Sequence, residues 1–362
     1  VQIVKSARDE RSYRHMVLSN GLEVVVVSDP TTETAAASMH INAGHMQDPD
    51  ELAGMAHFHE HMLFLGTEKH PEEGSFEKFL TQHGGSSNAY TSLETTNYYF
   101  SIKASHLREA SDRFAQFFMS PLFSESAMER EMQAVDSEHK NNLNNDEWRI
   151  FQQVLKATAN QKHPFSKFGT GNAETLRASP KQGVDTRQSL INFHEKYYSA
   201  NTMRLCVLGM EDLDTLEDWV RETFSGIRNT AAPSVHDYGG DPAFGRGQLG
   251  TLVTVVPVME VRRLMLSWPL PPRRQTLQSK PTTYVSHLLG HEGEGSLHSL
   301  LQSRGWASGV AAGSAVSVAD FQLFRLSVSL TEKGLEHVEE VAEMCYRYID
   351  LLRADPPRRH YQ

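Results

Sequence analysis

Gly54-Met55-Ala56-His57-Phe58-His59-Glu60-His61-Met62-Leu63-Phe64-Leu65-Gly66 carries apolar residues at 55, 58, 62 and 65. That spacing is one face of a helix, and Gly66 stands where such a helix stops. His57 and His61 lie four residues apart on one face, so two imidazoles can reach a single metal ion. Glu60, three residues after His57, borders that face and can reach a water held by the metal. His59 is two residues from each ligand, faces away, and reads as a packed or surface histidine.

The elements around this helix read as strands and helices in alternation. Asn20-Gly21, between His15–Leu18 and Leu22–Ser28, is a hairpin signal. Val24–Val27 predicts a strand buried on both faces, and Ala35–Asn42 and Tyr98–Lys103 predict two more strands. Helical patterns follow at Ser75–His83, Ser105–Met119, Ser124–Asn141, Ser189–Tyr198 and Leu213–Ser225, with a strand at Met203–Leu208. Residues 229–250 turn to Pro, Gly, Asp and Ser, which reads as a linker between a first domain, 1–228, and a second, 251–362. In the second, Leu252–Val256, Arg263–Trp268 and Phe321–Leu330 predict strands, and Lys280–Leu289, Ser296–Ser303 and Leu335–Leu352 predict helices. The expected class is α+β: tandem related α/β units, each a mixed or antiparallel sheet covered by helices. The second unit is about half as long as the first and reads as truncated.

Composition bounds the function. With 39% hydrophobic and 22% charged residues the chain is that of a globular protein. Its net charge of −10 argues against a nucleic acid or an anionic membrane as partner. No apolar run approaches a membrane span and no signal peptide is present, which makes cytoplasm the default, although the chain opens on Val1 and a preceding segment is left open. The two cysteines, Cys206 and Cys345, sit in apolar stretches and read as buried thiols rather than a disulfide.

A catalytic zinc site needs a third protein ligand and an open position for water. Glu131 and Glu138, seven apart on the Ser124–Asn141 helix, lie nearly in line on one face. Glu138 is the expected third ligand and Glu131 the acceptor that orients a ligand histidine. Asp136 and Glu129 point elsewhere and read as solvated. One Zn2+ per chain would then lower the pKa of its water to about 7, with Glu60 as general base. A chain with 18 histidines can show this spacing by chance, so the residues alone leave catalysis and packing both open.

His57-x-x-Glu60-His61 is the H-x-x-E-H order of the inverzincins, and its surroundings resemble the pitrilysin family of zinc peptidases, in its insulin-degrading branch. The likeness extends through Gly85–Thr91, Thr96–Phe100, Ala134–His139, His163–Asn172 and Gly290–Gly293, and thus along most of the chain. It implies clamshells of two bowl-shaped halves around a chamber for short unfolded peptides, with this chain forming part of one half and the C-terminal half of the clamshell missing. It also implies that Asn88, Ala89 and Tyr90 pair with substrate as an added strand, and that Phe64, Tyr90 and Trp148 stand beside the scissile bond. Phe64 and Trp148 read equally well as core. His291, with an edge strand near Val318, Ala319, Asp320 and Phe321, resembles an exosite for the substrate's amino terminus, against the plainer reading of a Gly-rich turn and an ordinary edge. His59 stands where the resemblance leads one to expect cysteine. The expected activity is a zinc metalloendopeptidase acting on peptides. The rivals are a non-catalytic peptide-binding scaffold and a processing-peptidase subunit that needs a partner. A homodimer is left open.

Overall fold

A computed structural model of the chain describes residues 3–177, 183–234, 237–276 and 278–354, and these form two compact units divided at Thr251/Leu252. In the first unit, β1 (Ser12–Val17) and β2 (Glu23–Ser28) make the hairpin that Asn20-Gly21 predicts. Gly21 takes φ 86°, the left-handed region open to glycine, and Asn20 Oδ1 accepts the Leu22 N–H at 3.1 Å. With β3 (Thr34–Ile41), β4 (Ser86–Thr91), β5 (Thr96–Lys103) and β6 (Met203–Gly209), they build a six-stranded sheet in the order β1-β2-β6-β3-β5-β4. Only β2 and β6 run parallel among these pairs. β4 pairs with β5 on one side and lies at the edge.

Strand period sets which face is buried. Ala35, Ala37, Met39 and Ile41 of β3, and Tyr98, Phe100 and Ile102 of β5, all point into one core. α1 (Met55–Met62), α2 (Ser75–Gln82), α3 (Leu107–Met119) and α4 (Glu125–Asn142), with the Thr186–Tyr197 and Leu213–Phe224 helices, complete the unit. Phe58 and Met62 of α1 join Met132 and Val135 of α4 in the same core. The opposite sheet face is barer. Val25 of β2, expected buried, is only half-buried there, and Cys206, read as a buried thiol, is exposed because Leu205 and Val207 take the inward positions of β6. Cys345 is buried as expected.

Two sequence boundaries move for identifiable reasons. The Thr186–Tyr197 helix begins before the expected Ser189 because Asp185 caps it, Oδ1 accepting the Arg187 and Gln188 N–H groups. Residues 229–234 and 237–250, part of the stretch read as a linker, lie along the first unit. The Asn160 N–H donates to the Ala243 carbonyl, and the Tyr238 hydroxyl to Glu94 Oε1 at 2.6 Å.

The second unit holds an antiparallel sheet β7-β9-β8, from β7 (Arg263–Leu270), β8 (Ala307–Ser317) and β9 (Gln322–Leu330). The Pro281–Leu289, Leu297–Ser303 and Val338–Ala354 helices accompany it. Leu252–Val256, expected as a strand, forms none, and Leu252 and Val256 are exposed. β8 is absent from the sequence expectation: Ala, Gly and Ser fill nine of its eleven positions, and only Val310 and Val316 carry the branched side chains that signal strands.

Behind α1, His59 is fully buried among Phe123, Phe193, His194 and Tyr198, with its Nε2 3.2 Å from His194 Nδ1. His194 hydrogen-bonds the Phe118 backbone, and burial pushes its imidazole down to about 3. Burial likewise holds His59 well below the usual histidine range. The native pair is therefore neutral at a pH where the unfolded chain, titrating near 6.5, takes up protons. Its contribution to stability is complete above pH 6.5 and is lost as pH falls from there towards about 3. His194→Phe should show a shallower fall in thermal midpoint between pH 7 and pH 5 than the parent chain. Equal slopes would mean the pair is not the source of acid sensitivity.

Candidate metal centre

α1 enters the site with its amino end buried and no capping side chain of its own. Asp48 supplies the cap from six residues upstream: Oδ2 accepts the Gly54 N–H at 2.7 Å and Oδ1 the Ala56 N–H at 2.8 Å. Burial pushes the Asp48 carboxyl up to about 7, against the pull of those two N–H groups. Gly54 has φ 91°, and a Cβ there would meet Gly171 at 2.2 Å, so glycine is required both by conformation and by close approach.

On the helix so placed, His57 and His61 each have their Nδ1 engaged. His57 Nδ1–H donates to the Thr170 carbonyl at 2.7 Å, and His61 Nδ1–H to Glu131 Oε1 at 2.6 Å. Both Nε2 lone pairs are thereby turned towards one point. The two Nε2 atoms lie 3.3 Å apart, and Glu138 Oε2 lies 3.5 Å from His57 Nε2 and 3.7 Å from His61 Nε2. Ligand atoms about 2.0–2.2 Å from one tetrahedral ion are separated by about 3.4 Å, so this triangle fits zinc, as does its nitrogen and oxygen chemistry. Among the described residues this is the one group of three or more His, Cys, Asp or Glu that could hold a metal. Burial lowers the His61 imidazole, but the Glu131, Glu60 and Glu138 carboxylates together outweigh it, Glu131 most, and the net shift is upward.

Glu60 is buried beside the triangle. Burial raises its carboxyl, and the Thr91 hydroxyl, donating to Oε2 at 2.5 Å, pulls it back. Thr91 closes β4, so the end of the edge strand and the acid are joined by that bond. Asn88 and Tyr90 point outwards from β4, while Ala89 packs on the core. Phe64 is half-buried against Phe117 and Tyr98, ring centroids 5.2 and 6.1 Å away. Trp148 lies on a helical stretch that continues through a π-helical turn, Ile150–Leu155, and its ring meets His139, the neighbour of Glu138, at 5.3 Å.

Sequence reasoning missed Asp48, Thr91 and the Thr170 carbonyl, which position α1 and its side chains without belonging to the donor triangle. The paired glycines around Thr170 mark a close approach, but not to what. Asp136, read as solvated, is half-buried, with Oδ1 accepting the Ala173 N–H at 3.1 Å and Oδ2 paired to Lys140. Glu129 is exposed and pairs with Arg177. In the second unit, Val318, Ala319, Asp320 and Phe321 are not a strand. They form the turn between β8 and β9, closed by the Val318 N–H to the Phe321 carbonyl, with both end residues turned inward. The edge strand next to that turn is β8, and the Gly290-His291 turn lies against its middle, where a Cβ on Gly290 would stand 3.7 Å from the Ala312 nitrogen.

Residues 23–166 match the family model described as insulinase (peptidase family M16), and residues 186–361 match the M16 inactive domain. The chain belongs to the M16 insulinase family. Insulin-degrading enzyme from Bos taurus is 48% identical over 357 residues, 98% of this chain and 35% of the relative. The A-factor-processing enzyme of Saccharomyces cerevisiae is 42% identical over 360 residues, 99% of this chain and 35% of the relative. The crystal structure of pitrilysin superposes with a TM-score of 0.94 at 32% identity, over 99% of this chain and 38% of that one. The chain thus spans about a third of the length of these relatives. No helix among the described residues is long and apolar enough to cross a membrane.

The Asp48 cap is testable alone. Asp48→Ala should lower stability by about 1 kcal/mol, the usual worth of an N-cap, and the thermal midpoint by a few degrees. An unchanged midpoint would show that α1 does not depend on the remote carboxylate.

Proposed function

We propose that this chain carries the catalytic site of a zinc-dependent metalloendopeptidase acting on oligopeptides and small unfolded polypeptides. The observation that carries the proposal is the triangle of donor atoms on His57, His61 and Glu138, 3.3 to 3.7 Å on a side, with the Glu60 carboxyl beside it. Zinc bound there supplies a Lewis acid and a water acidic enough to be deprotonated near neutral pH.

The chain's own groups do the rest. Glu60, pinned through Oε2 by Thr91, has Oε1 left to take a proton and pass it to the leaving amine. Glu131 holds His61 in the tautomer that leaves Nε2 bare, and the Thr170 carbonyl does so for His57. The open edge of β4 suits an extended peptide added as a further strand, with Asn88 and Tyr90 outward to meet its side chains. Tyr90, Trp148 and Phe64 supply aromatic surface around that edge and the ligand helices. A non-catalytic scaffold would be expected to lack a ligand or the base, and this chain has them all.

Glu60→Gln should keep one zinc per chain and lower peptide hydrolysis by on the order of 10²–10⁴-fold, the usual worth of general acid–base catalysis. Zinc content by elemental analysis and a fluorogenic peptide assay read the two effects separately. Hydrolysis that survives in Glu60→Gln overturns the mechanism, and zinc retained in His57→Ala overturns the site.

A further inference from the structure

Lys156 is 2% exposed and His45 5% exposed, an ammonium and an imidazole buried together behind the ligand helix. Lys156 Nζ lies 2.9 Å from His45 Nε2, and in its charged form the amine has only protons to give, so Nε2 is then the acceptor. A second Lys156 proton goes to the Lys167 carbonyl. Its direct partners are thus a neutral ring and a peptide oxygen; burial pushes the amine down to about 7, and the Asp48 carboxylate, acting through space, pulls it part of the way back. Buried ammonium groups in such company are expensive and cluster where a site needs them.

Both partners lead to the metal ligands. The His45 ring lies flush on Gly169, where a Cβ would stand 2.5 Å from its Cγ and Nδ1. Thr170 follows immediately, and its carbonyl takes the His57 Nδ1 proton. Lys167 is fastened at its other end, with Nζ donating to the Asp48 carbonyl and paired to Asp50 at 2.9 Å. The His45 N–H donates to the Ser92 carbonyl at 3.0 Å, next to the Thr91 that holds Glu60.

We infer that Lys156 is a positioning residue for the metal site: by tying His45 to the Lys167 carbonyl it sets the 167–171 segment whose Thr170 carbonyl orients His57. The inference rests on the reading of His57, His61 and Glu138 as the zinc ligands. Glu131, by contrast, acts on His61 by direct contact. The Lys156 strut acts at one remove, and on the ligand that has no carboxylate of its own.

The experiment is zinc affinity by chelator competition, beside thermal midpoints of the metal-free proteins, for the parent chain, Lys156→Met, Gly169→Ala and Leu216→Ala. Lys156→Met removes the donor, and Gly169→Ala displaces the His45 ring while keeping the lysine. Leu216→Ala opens the core under the Leu213–Phe224 helix and serves as a purely structural loss. Both strut variants should bind zinc about 10–100-fold more weakly, the usual effect of losing a partner behind a ligand, while Leu216→Ala loses midpoint and keeps its affinity. Parent affinity in Lys156→Met, or weakening in Leu216→Ala as large as in the strut variants, overturns the inference. If Lys156→Met does not fold, Gly169→Ala decides alone, and parent affinity there overturns it. A parent chain that binds no zinc overturns the site reading instead.

Discussion

Two imidazole nitrogens 3.3 Å apart can share a cation only if both present lone pairs, and that condition governs much of the first unit. Each ring has one proton, and it must be held on Nδ1 by an acceptor in the right place. Glu131 meets the condition for His61 from α4, one helix away. For His57 the acceptor is a backbone carbonyl more than a hundred residues downstream, so the segment bearing Thr170 has to be brought to α1 and kept there. Gly54 against Gly171, and Gly169 against His45, let that segment come close enough.

The same demand explains why the amino end of α1 is capped from a distance. A side chain at the cap position itself would strike Gly171, so residue 54 is glycine and the capping function moves to Asp48. That arrangement buries a carboxylate whose ionisation is pushed towards neutrality. The sheet contributes at its edge: β4 ends in Thr91, whose hydroxyl fixes Glu60, so a strand free on one side and the acid beside the two histidines are parts of one structure.

Local pattern carried far in this chain. Helical spacing gives α1 and α4, Ala35–Asn42 and Tyr98–Lys103 read as the strands β3 and β5, and Asn20-Gly21 gives the first hairpin, because each is decided by neighbours within a few residues. Misreadings fall where distant packing decides. Leu252–Val256 has a strand's composition, but a strand needs a partner, and composition cannot supply one. Cys206 sits among apolar residues, yet the strand turns it to the barer face. Val318–Phe321 was placed in an edge strand and is the turn beyond it, while β8 was invisible because small residues carry little strand signal.

By itself the sequence determined the chemistry on offer: two imidazoles and a carboxyl on one helix, two more carboxyls in line on another, and a likeness to one peptidase family along most of the chain. These follow from helical periodicity, which acts over a turn or two. Tertiary structure alone decided that the Thr91 hydroxyl meets Glu60, that the Thr170 carbonyl meets His57, and that Asp48 caps α1. Two of these contacts join residues 31 and 113 apart in the chain, and two run through backbone groups that every residue carries, so the order of side chains does not announce them.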